Sequence, residues 1–526
     1  MPTDVTVLVV GAGPTGLLLG AELVRRGIEC QIIDANPAPL HWDRATVVHA
    51  RSLEIFESLG IVEPFIAQGA KQRIAKIESG GKLLGTIDLS TCGSRYGYNV
   101  GVSEEFTESV ITKHLEKLGG KVTRASKLTA LKDGGDRVIA TIDRNGKSEQ
   151  LSAHWVVGCD GIHSITRESQ KIELTGHDIT EPWAVFDTTL TNWTDVYEAN
   201  FAFFDTIPVH LTALPDHRWR VYLRPSSSTS DLVADALGTV KLYCPNVRFD
   251  NVTNPNRFHC HTKLARQYRS GRVMLAGDAA HICSPAQGHG MNSGLLDAFN
   301  LGWKLALVCK GDASSAILDT YQSERRPAAE IVTASGDDVE RIHFVKGVAE
   351  RRARDAAIHA AFEADKPRHH EAVAEAELNI DYSKSPIVMG DKHATLGPGH
   401  RIPDTVNVDL PGGESCFLHQ HANHIGHTAL LIGNTSTKCD DLTQLRSSIE
   451  SRPGRPIVDA VFIATARPET KHPRITAKTA DQFGVSDITL LVVRPDGHVG
   501  LRADRDHVKA LAAYQSLLTT RERPHT

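Results

Sequence analysis

The β-branched, almost continuously apolar run Val5-Thr6-Val7-Leu8-Val9-Val10 leads directly into Gly11-Ala12-Gly13-Pro14-Thr15-Gly16, and no other segment narrows the choice of fold as far. A run of that kind marks a strand buried on both faces of a parallel sheet. Leu17 to Arg26 then keeps helical spacing up to Gly27, which suits a helix C-cap, and a second strand, Cys30 to Ile33, ends in Asp34. This is a βαβ unit. In Gly11-x-Gly13-x-x-Gly16 the first glycine permits a tight turn, the second lets backbone approach a pyrophosphate, and the third lets helix and strand pack closely. Pro14 and Thr15 share that turn, the helix start offers unpaired N–H groups to phosphate, and Asp34 is placed to accept a ribose hydroxyl. The hexad alone fits FAD and NAD equally.

A chain of 526 residues is too long for one core. Further apolar strands at Trp155 to Gly158 and Arg272 to Ala276 each run into an Asp-containing turn. Strands of one sheet so far apart imply an inserted domain. The insert reads as antiparallel: Ile74 to Glu78 and Leu83 to Leu89 flank Gly80-Gly81, and Ala184 to Leu190, Phe201 to Phe204, His210 to Leu214 and Arg218 to Leu223 alternate around turn residues. A long amphipathic helix is expected from Gly294 to Val308, charged helical sequence from Tyr321 to about Lys366, and a boundary in the Gly-, Pro- and His-rich stretch Pro386 to Pro403. Strands at Ala429 to Ile432, Ile457 to Ile463 and Thr489 to Val493 follow, with a final helix after Arg494-Pro495-Asp496-Gly497.

Composition excludes several classes. A net charge of −5 creates no single-sign field to recruit nucleic acid or an anionic membrane. The N-terminus has neither a basic n-region nor a long apolar h-region, so the cytoplasm is the expected location. Nine cysteines without a Cys-x-x-Cys fit a reduced protein rather than a disulfide framework, and 26 histidines without metal-ligand spacing give no reason to assign a metal.

Two more constellations carry chemistry. Val157-Gly158-Cys159-Asp160-Gly161, with Ser164 and Arg167, places an Asp-Gly turn at a strand end. Val273 to His281 contains Gly277-Asp278, and Gly288, Gly290, Met291 and Asn292 lead into the helix, with Pro285 just ahead. This second stretch resembles the flavin-contacting fingerprint of the single-component FAD monooxygenases that hydroxylate aromatic rings, the para-hydroxybenzoate and phenol hydroxylase family. The resemblance extends over nearly the whole chain, including Arg44-Ala45 and Arg51-Ser52-Leu53-Glu54.

The cofactor implied is FAD. Asp278 would bind ribityl hydroxyls, and the helix-start amides would face the polar edge of the ring, stabilising negative charge at N1 and O2 of the reduced flavin. The fold implied is α/β: a Rossmann-like FAD-binding domain over 1–72, 106–182 and 260–345, an inserted antiparallel β-sheet substrate domain over 73–105 and 183–259, a helical linker over 346–392, and a thioredoxin-like α/β domain over 393–526. Without Cys-x-x-Cys the last has no expected redox role. Three positions depart from the family pattern: Glu104 stands where glutamine is usual, and Gln287 and His289 replace a glycine and a glutamine.

No second glycine hexad follows a strand, so NADH or NADPH is expected to bind transiently, reduce FAD and leave. The resemblance implies a flavin C4a-hydroperoxide that transfers one oxygen atom of O2 to a phenolic or related aromatic substrate, the protein supplying position, exclusion of water and control of substrate charge. An ionised phenol reacts faster, so a base or hydrogen-bond acceptor is expected nearby. The sheet offers His210, Tyr222 and Arg224; His49 and Arg44 are placed beside the flavin by resemblance, and Pro285 shapes the substrate side. Baeyer–Villiger insertion or epoxidation is the rival chemistry, a non-catalytic flavin-binding regulatory protein the rival class, and a homodimer the assembly implied.

Overall fold

The N-terminal apolar run forms the strand Thr3–Val10 in the interior of an eight-stranded sheet. The structure, a computed structural model, describes residues 3–39, 45–343, 345–392, 394–422, 424–452 and 457–519. Val7, Leu8 and Val9 are wholly buried, as a strand covered on both faces requires. Thr3–Val10 pairs in parallel with Lys147–Gly158 on one side and Cys30–Ile33 on the other, with Val7 opposite both Trp155 and Cys30. Val273–Leu275 extends the sheet in parallel beyond Lys147–Gly158, and Val122–Thr123 beyond Cys30–Ile33. Two turns therefore meet at the C-terminal edge of the central strands. Gly11 sits at φ +101° with its Cα turned against the Cys159 carbonyl, where a Cβ would lie 2.2 Å from the oxygen. A Cβ on Gly16 would lie 2.0 Å from the Gly11 carbonyl oxygen. Both contacts demand glycine.

A second, seven-stranded sheet runs in the order Arg248–Phe258, Trp183–Thr191, Arg218–Leu223, Val209–Leu214, Ala199–Phe203, Ile74–Ser79, Lys82–Asp88. The antiparallel expectation holds at every junction but one: Ala199–Phe203 pairs in parallel with Ile74–Ser79. The hairpin formed by Ile74–Ser79 and Lys82–Asp88 enters the sheet from a separate stretch of chain, so no turn constrains its direction. Phe186, Phe201, Phe203, Leu211, Val221 and Leu223 form the buried side of this sheet with the helix Leu232–Val240.

The charged stretch is helical as expected, divided into Asp319–His343 and Val348–Glu363, the latter begun by Gly347, whose N–H donates to Glu350. The expected helix after the second glycine turn starts earlier, spanning His289–Cys309, so His289 to Asn292 occupy its first turn.

The chain divides into two compact units: Met1–Ala21, Cys30–Ala298 and Pro327–Asn379 make the first, and Glu22–Glu29, Phe299–Arg326 and Ile380–Thr526 the second. Both sheets above belong to the first. The second holds a four-stranded sheet ordered Val458–Thr465, His427–Gly433, Ile488–Val493, Val499–Ala503, its first pair parallel and the others antiparallel. The stretch expected to form a boundary is built into this unit: Met389 and Gly399 donate to the Gly500 and Val499 carbonyls. Phe299–Arg326 joins it through a buried ionic cluster. Glu324 accepts from Lys304 at 2.7 Å and from Arg494 at 2.7 and 2.8 Å, while Asp496 accepts from Arg494, Asn300 and Trp303. Opposite charges this close are what allow full burial. No described helix is long and apolar enough to cross a membrane.

Candidate active site

The glycine turns and the seven-stranded sheet border one cavity of about 530 Å³ in the first unit. At one end it is lined by Gly13, Pro14, Thr15, Asp278, Gly288, Gly290 and Met291. A Cβ added to Gly13 would meet nothing nearer than Glu108 Oε1 at 3.9 Å, so the open side of this turn faces free space and a ligand's phosphates could approach the backbone. Gly290 is equally open, with Cys283 Sγ at 3.7 Å the nearest atom to an added Cβ. Turn and helix start thus form a cradle that side chains would fill, as an extended dinucleotide requires.

The two glycine segments are locked together. A Cβ on Gly277 would lie 2.8 Å from Thr15 Oγ1, and one on Gly294 would lie 2.2 Å from it. Gly277 N–H donates to Asp297 Oδ2 at 3.0 Å, and His281 Nε2 meets the same oxygen at 2.6 Å, fixing the Gly277-Asp278 turn. Asp278 itself is exposed to the cavity.

Several residues singled out from sequence are not among those lining the cavity. Asp34 accepts from the N–H groups of Ala12 at 2.7 Å and Asn36 at 2.8 Å, bracing the first glycine turn. Asp160 accepts from Ser164 and from the N–H and hydroxyl of Thr166, shaping the turn whose neighbours Cys159 and Gly161 line the cavity. Asn292 is wholly buried and uses both ends of its amide on protein groups: Oδ1 accepts from His49 N–H and Ser52 Oγ, and Nδ2 donates to the Val47 and Gly288 carbonyls. Arg44 lies outside the described residues.

At the other end the wall is the sheet: Ile77, Ile87, Phe201, Phe204, Leu211 and Trp183, with His210, Asn200, Thr212 and Tyr222 as polar groups. Tyr222 Oη lies 3.0 Å from Thr46 Oγ1, joining the sheet to the wall that carries the glycine turns. His210 packs edge-on to Trp183, and burial together with the nearby Arg224 charge lowers its pKa to about 4, so it is neutral at physiological pH. Arg224 does not line the cavity; it pairs with Glu340, whose other oxygen accepts from Trp183 Nε1 and Ser284. Pro285 is on the wall, as is Gln287, whose Oε1 accepts from Ser335 at 2.8 Å.

Of the catalytic candidates, His210, Tyr222 and Pro285 thus share the cavity. His49 does not. Its wholly buried ring lies against Gly288 and faces His289 and Glu377; these three bring potential metal-ligand atoms within 4.8 Å of one another, a grouping with no spacing signature in the sequence. Sequence reasoning also missed Thr46, Trp183 and Cys283, which carry no motif and reach the cavity only through folding.

Residues 4–335 match the family model described as an FAD binding domain. The chain is 28% identical to 6-methylpretetramide 4-monooxygenase of Streptomyces rimosus, covering 96% of this chain and 92% of that protein. It is 30% identical to pentachlorophenol 4-monooxygenase of Sphingobium chlorophenolicum, covering 96% and 94%. Its fold is similar to that of the flavin-dependent monooxygenase PieE, solved with FAD and substrate, at a TM-score of 0.79 and 20% identity over 98% of this chain and 100% of that one. With a glycine cradle open to a ligand's phosphates and an aromatic-walled chamber continuous with it, the chain belongs to the FAD binding domain family and is an FAD-dependent aromatic monooxygenase.

Proposed function

We propose that the protein inserts one oxygen atom of O2 into a phenolic or related aromatic substrate, with NADH or NADPH as electron donor. The observation that carries this reading is the single cavity joining the glycine cradle to an apolar sheet wall that bears His210 and Tyr222. Bound FAD, once reduced by the nicotinamide, would supply an electrophilic oxygen drawn from O2.

The cradle fits that cofactor. Gly13, Pro14 and Thr15 would receive the pyrophosphate at a helix start, with Gly11 and Gly16 making the turn possible and Asp34 and Asp160 holding it. Gly277 would present Asp278 to the ribityl chain. Gly288, Gly290 and Met291 would lie along the ring's polar edge, held there by Asn292, and Pro285 would lie on its substrate side.

On the substrate side, neutral His210 can accept a hydrogen bond from a phenol and take its proton as the ring becomes nucleophilic. The Tyr222 hydroxyl, positioned by Thr46, can orient the same oxygen. Phe204, Trp183 and Ile77 would exclude water around the ring and give it apolar contact. Substrate-stimulated NAD(P)H oxidation by the purified yellow protein, screened over a phenol panel with product mass, tests this: a product heavier by one oxygen is expected, and an unresponsive enzyme or a ring-opened ester or lactone contradicts it.

A further inference from the structure

His289 stands between two glycines of the cavity wall, Gly288 and Gly290, yet is 5% exposed and does not line the cavity. Its Nδ1 meets Glu377 Oε1 at 2.9 Å, an oxygen also reached by Ser293 Oγ at 3.4 Å. His49 packs edge-on against His289 with ring centroids 4.8 Å apart and holds Nδ1 at 3.7 Å from the same carboxylate oxygen.

Glu377 is there against a backbone cost. It follows the helix Asp365–Glu375 at the position where helices commonly turn left-handed: its N–H donates to the Ala374 carbonyl, the Leu378 N–H donates to that of Val373, and its φ is +55°. Glycine suits that position and glutamate does not. The carboxylate delivered in this way is buried, and its Oε2, like both ring nitrogens of His49, has no hydrogen-bond partner among the described residues. Polar atoms buried without partners are destabilising, so a site that collects three of them has a use for them beyond packing.

We propose that Glu377, His289 and His49 form a buried proton-holding clamp behind the Gly288–Met291 turn, through which the charge of His289 sets the electrostatic environment of bound FAD. The inference rests on that turn being the flavin's neighbour. A protonated imidazole one residue from both cavity-lining glycines adds positive charge on the side where the helix start already presents its amides, favouring the anionic reduced ring. The pair's titration fits this: His289 is raised, burial opposing and the Glu377 hydrogen bond and charge outweighing it, and Glu377 is drawn down to about 2 despite its burial by the His289 hydrogen bond and the charge of both histidines. Titratable groups near the cluster include Glu375, whose charge also acts on His289, and the Cys283 thiol, which burial and the carboxylates Asp278 and Glu377 keep protonated.

The test follows the absorbance and midpoint potential of FAD in the holoenzyme from pH 5.5 to 9.5. Wild type should show one break that His289→Gln abolishes. Glu377→Gln should move it to lower pH by roughly one to three units, because the carboxylate that supports the imidazolium is gone. Glu377→Gly, which suits the backbone, should keep or raise the melting temperature and still displace the break. A break unchanged in His289→Gln overturns the proposal, as does a stoichiometric metal ion that either substitution removes. Gly290→Leu separates the two readings: if it abolishes FAD binding while wild-type flavin shows no break, the clamp fails and the flavin-side wall stands; if it keeps full FAD affinity, the assignment of the wall fails and the proposal with it.

Discussion

The side-chain amide of Asn292 accepts the backbone N–H of His49 at 2.9 Å across 243 residues of sequence. With its three other hydrogen bonds, this amide staples the Gly288 turn to Val47 and to the start of the helix Ala50–Ser58. Asn292→Asp is nearly isosteric but turns a carboxylate towards the Val47 and Gly288 carbonyls. It should cost roughly 3 kcal/mol of stability, as much as Asn292→Ala, in denaturant unfolding at pH 7. An aspartate variant as stable as wild type would show that the staple contributes little.

The first glycine turn separates packing from ligand approach. Gly16→Ala should prevent folding of the turn and leave colourless protein, since its Cβ overlaps the Gly11 carbonyl. Gly13→Ala meets no protein atom closer than 3.9 Å and should fold normally, with FAD affinity reduced roughly tenfold or more in flavin titrations of the apoprotein.

His210 makes a pH prediction. Its folded pKa of about 4 lies below the ordinary 6.5, so protonation favours the unfolded chain. The stability this residue contributes is complete above pH 6.5 and erodes as pH falls towards 4. His210→Gln should flatten the decline of the unfolding midpoint between those values, and should lower kcat/KM by roughly tenfold to ten-thousandfold at pH 7 if the ring takes the phenolic proton. A wild-type kcat/KM profile with a break near pH 6.5 that His210→Gln removes would contradict a neutral, buried base.

Much of this was legible in the chain. The parallel strands and glycine turns announce themselves because their signals are local: β-branched runs, fixed glycine spacing, a helix directly after. The parallel entry of Ile74–Ser79 beside Ala199–Phe203 was not, because strand direction there is set by contacts more than a hundred residues apart. Asp34 and Asp160 were found by motif, but whether a carboxylate faces the ligand or the backbone depends on hydrogen bonds that spacing does not encode. Glu377 has no signature at all, since it occupies a glycine position and meets His289 across 88 residues.

The second unit predicts its own acid sensitivity. Glu324 is held down to about 2 by Arg494 and Lys304 despite burial, so its contribution is present above its ordinary pKa of 4.5 and is lost as pH falls through about 2. Asp496→Asn leaves Arg494 with one buried carboxylate partner instead of two and should cost roughly 3 to 5 kcal/mol, read as a lower melting temperature at pH 7.

The most direct test of the account is turnover of the purified FAD-loaded protein with NAD(P)H, an aromatic substrate that stimulates nicotinamide oxidation, and ¹⁸O2. A hydroxylated ring carrying one ¹⁸O atom is expected, with product formation falling in His210→Gln while FAD remains bound. A product whose new oxygen comes from water, or nicotinamide oxidation that no aromatic compound stimulates, would contradict it.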